Sequence, residues 1–179
     1  GPAGPAGPAG ANGAAGPAGP AGPAGPAGPA GPAGTANVIY SAWKDVTFAA
    51  ETANGTATGA FVAEIEDTKI TADVVNKGVV KVYWNINTGA TPFVVALPYS
   101  ETTGMIFNQP VEINTLFGEG AILLHSNANV STTTLTTGTN AGQKIRQYRY
   151  VIIPGGTAGR TNINWNNYAE VKAHLGLKD

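Results

Sequence analysis

A strict three-residue glycine repeat followed by a longer β-patterned remainder predicts a chain of two unlike parts. The first is a collagen-type triple helix over residues 1–36, and the second is a mainly antiparallel β domain over residues 37–179. Glycine occupies every third position from Gly1 to Gly34, and nine of the 13 prolines lie in the same stretch. The fold class that we expect is a triple helix followed by an antiparallel sandwich with two short helices, assembled as a homotrimer.

The repeat comprises twelve consecutive Gly-X-Y triplets, from Gly1 to Ala36. Only glycine fits at the crowded axis where three polyproline II chains wind around one another, whereas a flexible linker needs no period. Every proline of the repeat is in the X position, so this rod does not require hydroxyproline in Y, which indicates a bacterial source. The predicted axis residues are Gly1, Gly4, Gly7, Gly10, Gly13, Gly16, Gly19, Gly22, Gly25, Gly28, Gly31 and Gly34.

The repeat carries no charge, because no Lys, Arg, Asp or Glu precedes Lys44. No ion pair between chains can therefore set their register, and we expect the second domain to align them by holding three chain ends together. An uncharged Ala/Pro surface also suits burial against protein better than permanent exposure. Two arrangements stay open: the rod is a spacer that carries a head, or the rod of one trimer docks into the head of the next.

Residues 37–179 contain all 21 charged residues of the chain, ten basic and eleven acidic, for a formal net charge of −1. This balance offers no basic footprint for nucleic acid. Cysteine is absent, so disulfides and thiolate metal sites are excluded, and no apolar run reaches the ~20 residues that span a bilayer. We expect an extracellular or cell-surface protein without a cofactor, a nucleic-acid partner or membrane insertion.

The first half of the second domain has the composition of strands and one short helix. Residues 38–49 are rich in β-branched and aromatic residues and predict one or two strands. Asn54-Gly55 predicts a hairpin turn before a strand over residues 60–66. Residues 70–78 predict a short helix that ends in a glycine cap. Residues 79–86 predict a strand.

The second half continues the same pattern. Residues 91–100 are apolar on both faces and predict one buried strand. Residues 104–117 and 119–126 predict a pair of strands, and the polar segment 126–142 predicts an exposed loop or a poorly packed hairpin. Residues 144–153 predict a further strand. The chain then ends in a predicted helix with an asparagine cap and a glycine stop.

The repeat, followed by ANVIYSAW, ITADVVNKGVVKVYW, YRYVIIPGG and a final YAEVKAHLGLKD, resembles the collagen-like surface proteins of Bacteroidota. The resemblance covers essentially the whole chain and is specific for the pairing of the rod with the C-terminal domain. It implies a secreted or surface-displayed protein, and it carries over no catalytic motif.

Side chains with possible chemistry are few. His125 and His174 stand apart from one another and from any metal-binding spacing, so we expect structural roles for both. Glu64, Glu66 and Asp67 form the densest acidic group, for which a solvated strand face is the expected role and a weak calcium site the alternative.

Three tryptophans could stack on sugars. We expect Trp43 and Trp84 in the core or at a trimer interface. Trp165 lies in the polar string 161–167 and is the candidate for a surface contact with a glycan or another ligand.

The function that the sequence favours is that of a structural protein, a collagen-like homotrimer of an extracellular fibre or surface stalk. Its partner would be itself, as a trimer or as a head-to-tail filament. The alternative is an adhesion protein with a stalked, ligand-binding head of the lectin or C1q-like type. We expect no enzymatic activity.

Overall fold

The computed structural model describes residues 1–16, 38–104, 106–155 and 163–178. The chain divides into two units, Gly1–Pro32 and Ala33–Asp179. In the first unit, residues 1–16 are exposed and form neither helix nor strand. The predicted axis glycines from Gly19 to Gly34 lie outside the described residues.

The described part of the second unit is mainly β, with two short helices, as the sequence predicts. The strands are β1 (Ile39–Tyr40), β2 (Ala49–Ala53), β3 (Thr56–Glu66), β4 (Val79–Asn85), β5 (Val94–Ala96), β6 (Tyr99–Glu101), β7 (Val111–Gly118), β8 (Ala121–Ser126), β9 (Thr133–Thr134), β10 (Lys144–Ile145) and β11 (Gln147–Ile153). The helices are α1 (Ala72–Lys77) and α2 (Tyr168–Leu175).

Most strands belong to two antiparallel sheets. Sheet A has the order β1-β11-β4-β5, and sheet B has the order β2-β3-β8-β7-β6. A third, two-stranded sheet pairs β9, in the segment predicted as a loop or hairpin, with β10, at the start of the strand predicted over residues 144–153. The main core joins buried side chains of both sheets, among them Trp84 of sheet A and Leu124 of sheet B. This arrangement is consistent with the predicted sandwich.

The β2–β3 hairpin confirms two predictions. Asn54 and Gly55 both have positive φ, 52° and 78°, as a two-residue hairpin turn requires. Along β3, Ala63 and Ile65 are buried, whereas Glu64 is exposed. The strand predicted over residues 60–66 is therefore confirmed, and its two-residue period turns Ala63 and Ile65 toward the core.

The prediction of one strand over residues 91–100 is wrong. The segment forms β5, which pairs with β4 in sheet A, and β6, which pairs with β7 in sheet B. Pro98 lies between them, and because proline has no N–H to donate to a ladder, the strand cannot continue through it. The segment is apolar on both faces because it crosses from one sheet to the other.

The two helices are where the sequence predicts them, although the caps differ. Gly176 ends α2 in the left-handed conformation, with φ 62°. Gly78 ends α1 with its N–H donating to the carbonyl of Val74, but its backbone is extended, with φ −93°. A Cβ at this position would lie 2.6 Å from the carbonyl oxygen of Ile153. Glycine is therefore required at residue 78 by close packing against the end of β11, not by a positive φ.

Helix α2 contributes to a second apolar cluster. Val171 and Tyr168 of the helix pack there with Tyr83 and Val151 of sheet A. Both faces of β11 are consequently buried, whereas β7 and β8 of sheet B leave Leu116 and Leu123 exposed.

Candidate functional site

A groove of about 500 Å³ lies beside the N-terminus of α2. Three separate segments of the chain form it: the segment between β1 and β2, the segment that leads into β5, and the start of α2. Its principal lining residues are Trp43, Pro92, Val94, Asn166, Tyr168 and Lys172. A concave site lined by aromatic and apolar groups with a few polar ones is typical of a binding site.

Tyr168 supplies the aromatic floor of the groove. It is the first residue of α2, after Asn167, whose Oδ1 accepts from the backbone N–H groups of Ala169 and Glu170. The Tyr168 ring is tilted against two neighbouring rings, with centroids 4.9 Å from Tyr83 and 5.7 Å from Trp43. The ring of Trp43 is half-buried, so part of it is accessible from the groove.

Arg149 of β11 is buried, with only 2 % of its surface exposed, and it connects these segments through hydrogen bonds. Its Nε donates to the carbonyl of Ser41 at 2.9 Å, its Nη1 to the hydroxyl of Tyr168 at 2.8 Å, and its Nη2 to the carbonyl of Lys178 at 2.5 Å. The guanidinium also lies over the ring of Trp43, 5.1 Å from its centroid. One buried side chain therefore links sheet A, the Trp43 segment, α2 and the C-terminal segment.

The charge of Arg149 has no acidic partner in the described part of the chain. A buried charge is costly unless it is compensated. Here neutral oxygen acceptors and the face of an aromatic ring compensate it. Two of the three hydrogen bonds of Arg149 go to α2 and to the C-terminal segment, which indicates that Arg149 fixes the position of α2 beside the groove.

Asn166 is the polar residue of the groove rim. Its Oδ1 accepts from the ammonium of Lys81 at 2.6 Å, and burial lowers the pKa of Lys81. Within the described residues, the amide N–H₂ of Asn166 donates to no group. The lining residues that the structure describes include no carboxylate. The rim therefore offers the N–H₂ group of Asn166 as a donor, while the side-chain oxygen of Asn166 accepts a hydrogen bond from Lys81.

A second concavity of about 680 Å³ contains the acidic group of the sequence, with Lys44, Glu64, Glu66, Asp67 and Glu119. Desolvation raises the pKa of Asp67, but hydrogen bonds from the Tyr150 hydroxyl and the Lys69 N–H together hold it below its ordinary value. Glu64 and Glu66 are exposed, as a solvated face predicts. Within the described residues, no group of three or more His, Asp or Glu side chains could hold a metal ion.

The two histidines lie on different elements. His125 of β8 has its Nε2 3.9 Å from a carboxylate oxygen of Glu51, and both side chains are partly exposed. His174 is an exposed residue in the last turn of α2. Neither belongs to the groove.

The tryptophans occupy three different environments. Trp84 is fully buried in the main core, as expected. Trp43 is half-buried, packs against the second cluster and lines the groove, and its role at a trimer interface stays a prediction. Trp165 is half-buried against the second cluster, and its carbonyl accepts from the hydroxyl of Tyr83 at 2.9 Å. A ligand contact of Trp165 stays a prediction. Sequence reasoning did not identify the groove, because no local pattern marks Trp43, Asn166 and Tyr168 as neighbours.

Comparisons with known proteins found no match: no protein-family model, no curated protein and no solved structure is significantly similar to this chain. In the part of the chain that the structure describes, no helix has the length and apolar character to cross a bilayer. The fold and the groove define a mainly β domain with a surface cleft, preceded in sequence by a Gly-X-Y repeat.

Proposed function

We propose that this protein is a collagen-like structural subunit, a homotrimer that forms part of an extracellular fibre or surface stalk. Three Gly-X-Y segments wind into the rod, and the β domain holds their ends in register. Twelve triplets at about 3 Å per residue extend roughly 100 Å. The strict glycine period is the observation that carries this proposal.

The repeat glycines that the structure describes are not required by the conformation of a single chain. A Cβ added at Gly1, Gly4, Gly7 or Gly10 would meet no atom within 4 Å, and none of these residues has a positive φ. Neither close packing nor backbone conformation in the single chain therefore requires glycine there. The axis of a three-chain helix does require it, since only a hydrogen atom fits there.

Sedimentation and circular dichroism of the full chain test this function. We expect a particle of three times the chain mass of 18.1 kDa, with the spectrum and cooperative melting of a triple helix. A monomer that shows neither spectrum nor melting would contradict the proposal.

Replacing Gly10 with valine is expected to lower the melting temperature of the triple helix substantially, because the side chain cannot enter the axis. Gly10 begins two adjacent triplets without proline, where we expect the winding to be weakest. Ala11→Val is the matched control, since it adds the same side chain in the X position of the same triplet, where it faces solvent. Equal effects of the two substitutions on the melting curve would exclude a triple helix.

The outer face of β7 and β8 is the surface on which we place the contact between the three β domains. Leu116 and Leu123 are cross-strand partners there, and they are 54 % and 40 % exposed. Half-exposed leucines paired on one sheet face gain from burial, roughly 1.5–3 kcal/mol for each full side chain. The partner that we propose for this face is the β domain of another copy, because a triple helix of Gly-X-Y repeats requires two further copies of the same chain.

Leu116→Glu is expected to weaken the trimer about 100-fold or more, because three carboxylates would replace three apolar contacts near one axis. Val79→Glu is the matched control, since Val79 is a strand residue of sheet A with a similar exposed fraction, 48 %. Sedimentation over a range of concentrations measures both. If the Val79 variant dissociates and the Leu116 variant does not, the contact lies on another face.

A stalked binding head is the second candidate function, and the Trp43–Tyr168 groove is the observation that favours it. Electron microscopy of the purified full chain separates the two functions. Single particles with one head and one rod support a stalk, and continuous filaments support a fibre.

A further inference from the structure

We infer that the Trp43–Tyr168 groove binds the Gly-Pro-Ala repeat of another copy of this chain, an inference that rests on the proposed structural function. The docking of one trimer's rod on another trimer's head would then have a defined site. Three properties of the groove lead to this occupant: its aromatic walls, its hydrogen-bonding character and its charge.

The aromatic lining suits a polyproline II segment. Proline-rich ligands dock in grooves lined by aromatic side chains, because the preformed helix loses little entropy on binding and its proline rings pack on flat faces. Trp43 and Tyr168 present two rings tilted by 58°, and Pro92 and Val94 extend the apolar surface. The repeat has a proline in nine of its twelve triplets, at three-residue spacing from Pro2 to Pro8 and from Pro17 to Pro32.

The polar groups of the groove match the same ligand. A Gly-Pro-Ala chain has more acceptors than donors, since every proline contributes a carbonyl and no N–H. The N–H₂ group of Asn166 donates to no described residue and is a donor on the groove rim. The Oδ1 atoms of Asn166 and Asn167 already accept hydrogen bonds. A sugar presents mainly hydroxyl groups, which donate as well as accept hydrogen bonds. Its hydroxyl donors would need more side-chain acceptors in this groove than a Gly-Pro-Ala chain requires.

The charge and length of the repeat point to another copy. The repeat is uncharged over its whole length, and the described lining of the groove is mainly aromatic, apolar and amide in character, so a neutral ligand suits it. A triple helix is stiff and extends roughly 100 Å from the domain that holds its end. Its distant triplets therefore reach a groove on a different trimer rather than on their own.

Calorimetric titration of the full chain with a synthetic Gly-Pro-Ala repeat peptide tests the inference. We expect saturable binding, and a peptide of the same composition in scrambled order is expected to bind at least about tenfold more weakly. Absence of binding, or equal binding of the scrambled peptide, would overturn the inference. Binding of neutral oligosaccharides in place of the peptide would also overturn it and would favour a lectin-type head.

Two substitutions locate the binding site. Trp43→Ala should weaken binding at least about tenfold, and Trp43→Phe should retain most of it, because a ring still lines the groove. Asn166→Asp keeps the oxygen that Lys81 bonds but replaces the donor with an acceptor, so about fivefold weaker binding is expected. Asn164→Asp is the matched control, since it adds the same charge two residues away outside the lining. Binding that neither groove substitution changes would place the site elsewhere.

Sedimentation of the same samples separates this inference from the proposed function. A trimer with triple-helix melting that does not bind the peptide overturns the groove assignment alone. A monomer without a triple helix overturns the structural function, whatever the peptide does.

Discussion

Replacing Arg149 with methionine is expected to lower the free energy of unfolding by about 3 kcal/mol, because at least two buried acceptors then lose their donor. The carbonyl of Ser41 and the hydroxyl of Tyr168 both lie within 3 Å of the guanidinium nitrogens that they bond. Methionine retains much of the apolar volume but donates no hydrogen bond. The loss should concentrate at α2, where hydrogen exchange is expected to become faster than in sheet B.

Arg146→Met is the control for this substitution. Arg146 is also partly buried and lies 4.8 Å from the ring centroid of Phe107, but no side-chain hydrogen bond of its guanidinium occurs in the described structure. We expect a loss below about 1 kcal/mol, the size of a partly solvated cation–π contact. Denaturant unfolding at one fixed protein concentration compares the variants. Equal losses for the two variants would show that the hydrogen bonds of Arg149 contribute no more than the single cation–π contact of Arg146.

Replacing Trp84 with alanine is expected to destabilise the β domain by about 3–5 kcal/mol, because a large cavity then opens in the main core. Trp84 is fully buried and stacks on Phe107 at 5.7 Å and Tyr148 at 6.1 Å between centroids, with Tyr99 edge-on at 5.7 Å. These rings belong to both sheets and to the segment between β6 and β7. Their separation would loosen the packing of sheet A on sheet B, which thermal unfolding measures.

Trp84→Phe is expected to cost less than half as much as Trp84→Ala. Phenylalanine keeps one ring in the stack, and it also removes the indole N–H, which is buried without a hydrogen-bond partner in the described structure. An unsatisfied buried donor costs roughly 1–3 kcal/mol, so its removal offsets part of the lost volume. Equal losses in the phenylalanine and alanine variants would mean that the aromatic stack does not support the core.

Local patterns predicted those parts of the β domain that local physics controls. The alternation at the end of β3 follows from the two-residue period of a strand with one face toward the core. The Asn54-Gly55 turn follows from the positive φ values that both residues tolerate. These features depend on neighbours within a few residues, and the sequence contains those neighbours.

Features that depend on distant pairing were not predictable in the same way. Residues 91–100 were predicted as one strand because both faces are apolar, but the segment forms two strands that pair in different sheets. Arg149 stands between Tyr148 and Tyr150, and alternation alone predicts an exposed cation at such a position. It is buried because α2 covers the outer face of sheet A, and that contact joins residues that are far apart in the sequence.

The sequence by itself determined the strict glycine period of the repeat, its lack of charge and the strand and turn patterns that define a mainly β domain. These properties follow from chain geometry and side-chain periodicity, which act over short distances. Only the tertiary structure decided that Trp43, Asn166 and Tyr168 share one groove over a buried arginine. More than 120 residues separate Trp43 from the other two, and their proximity arises from the packing of α2 on sheet A.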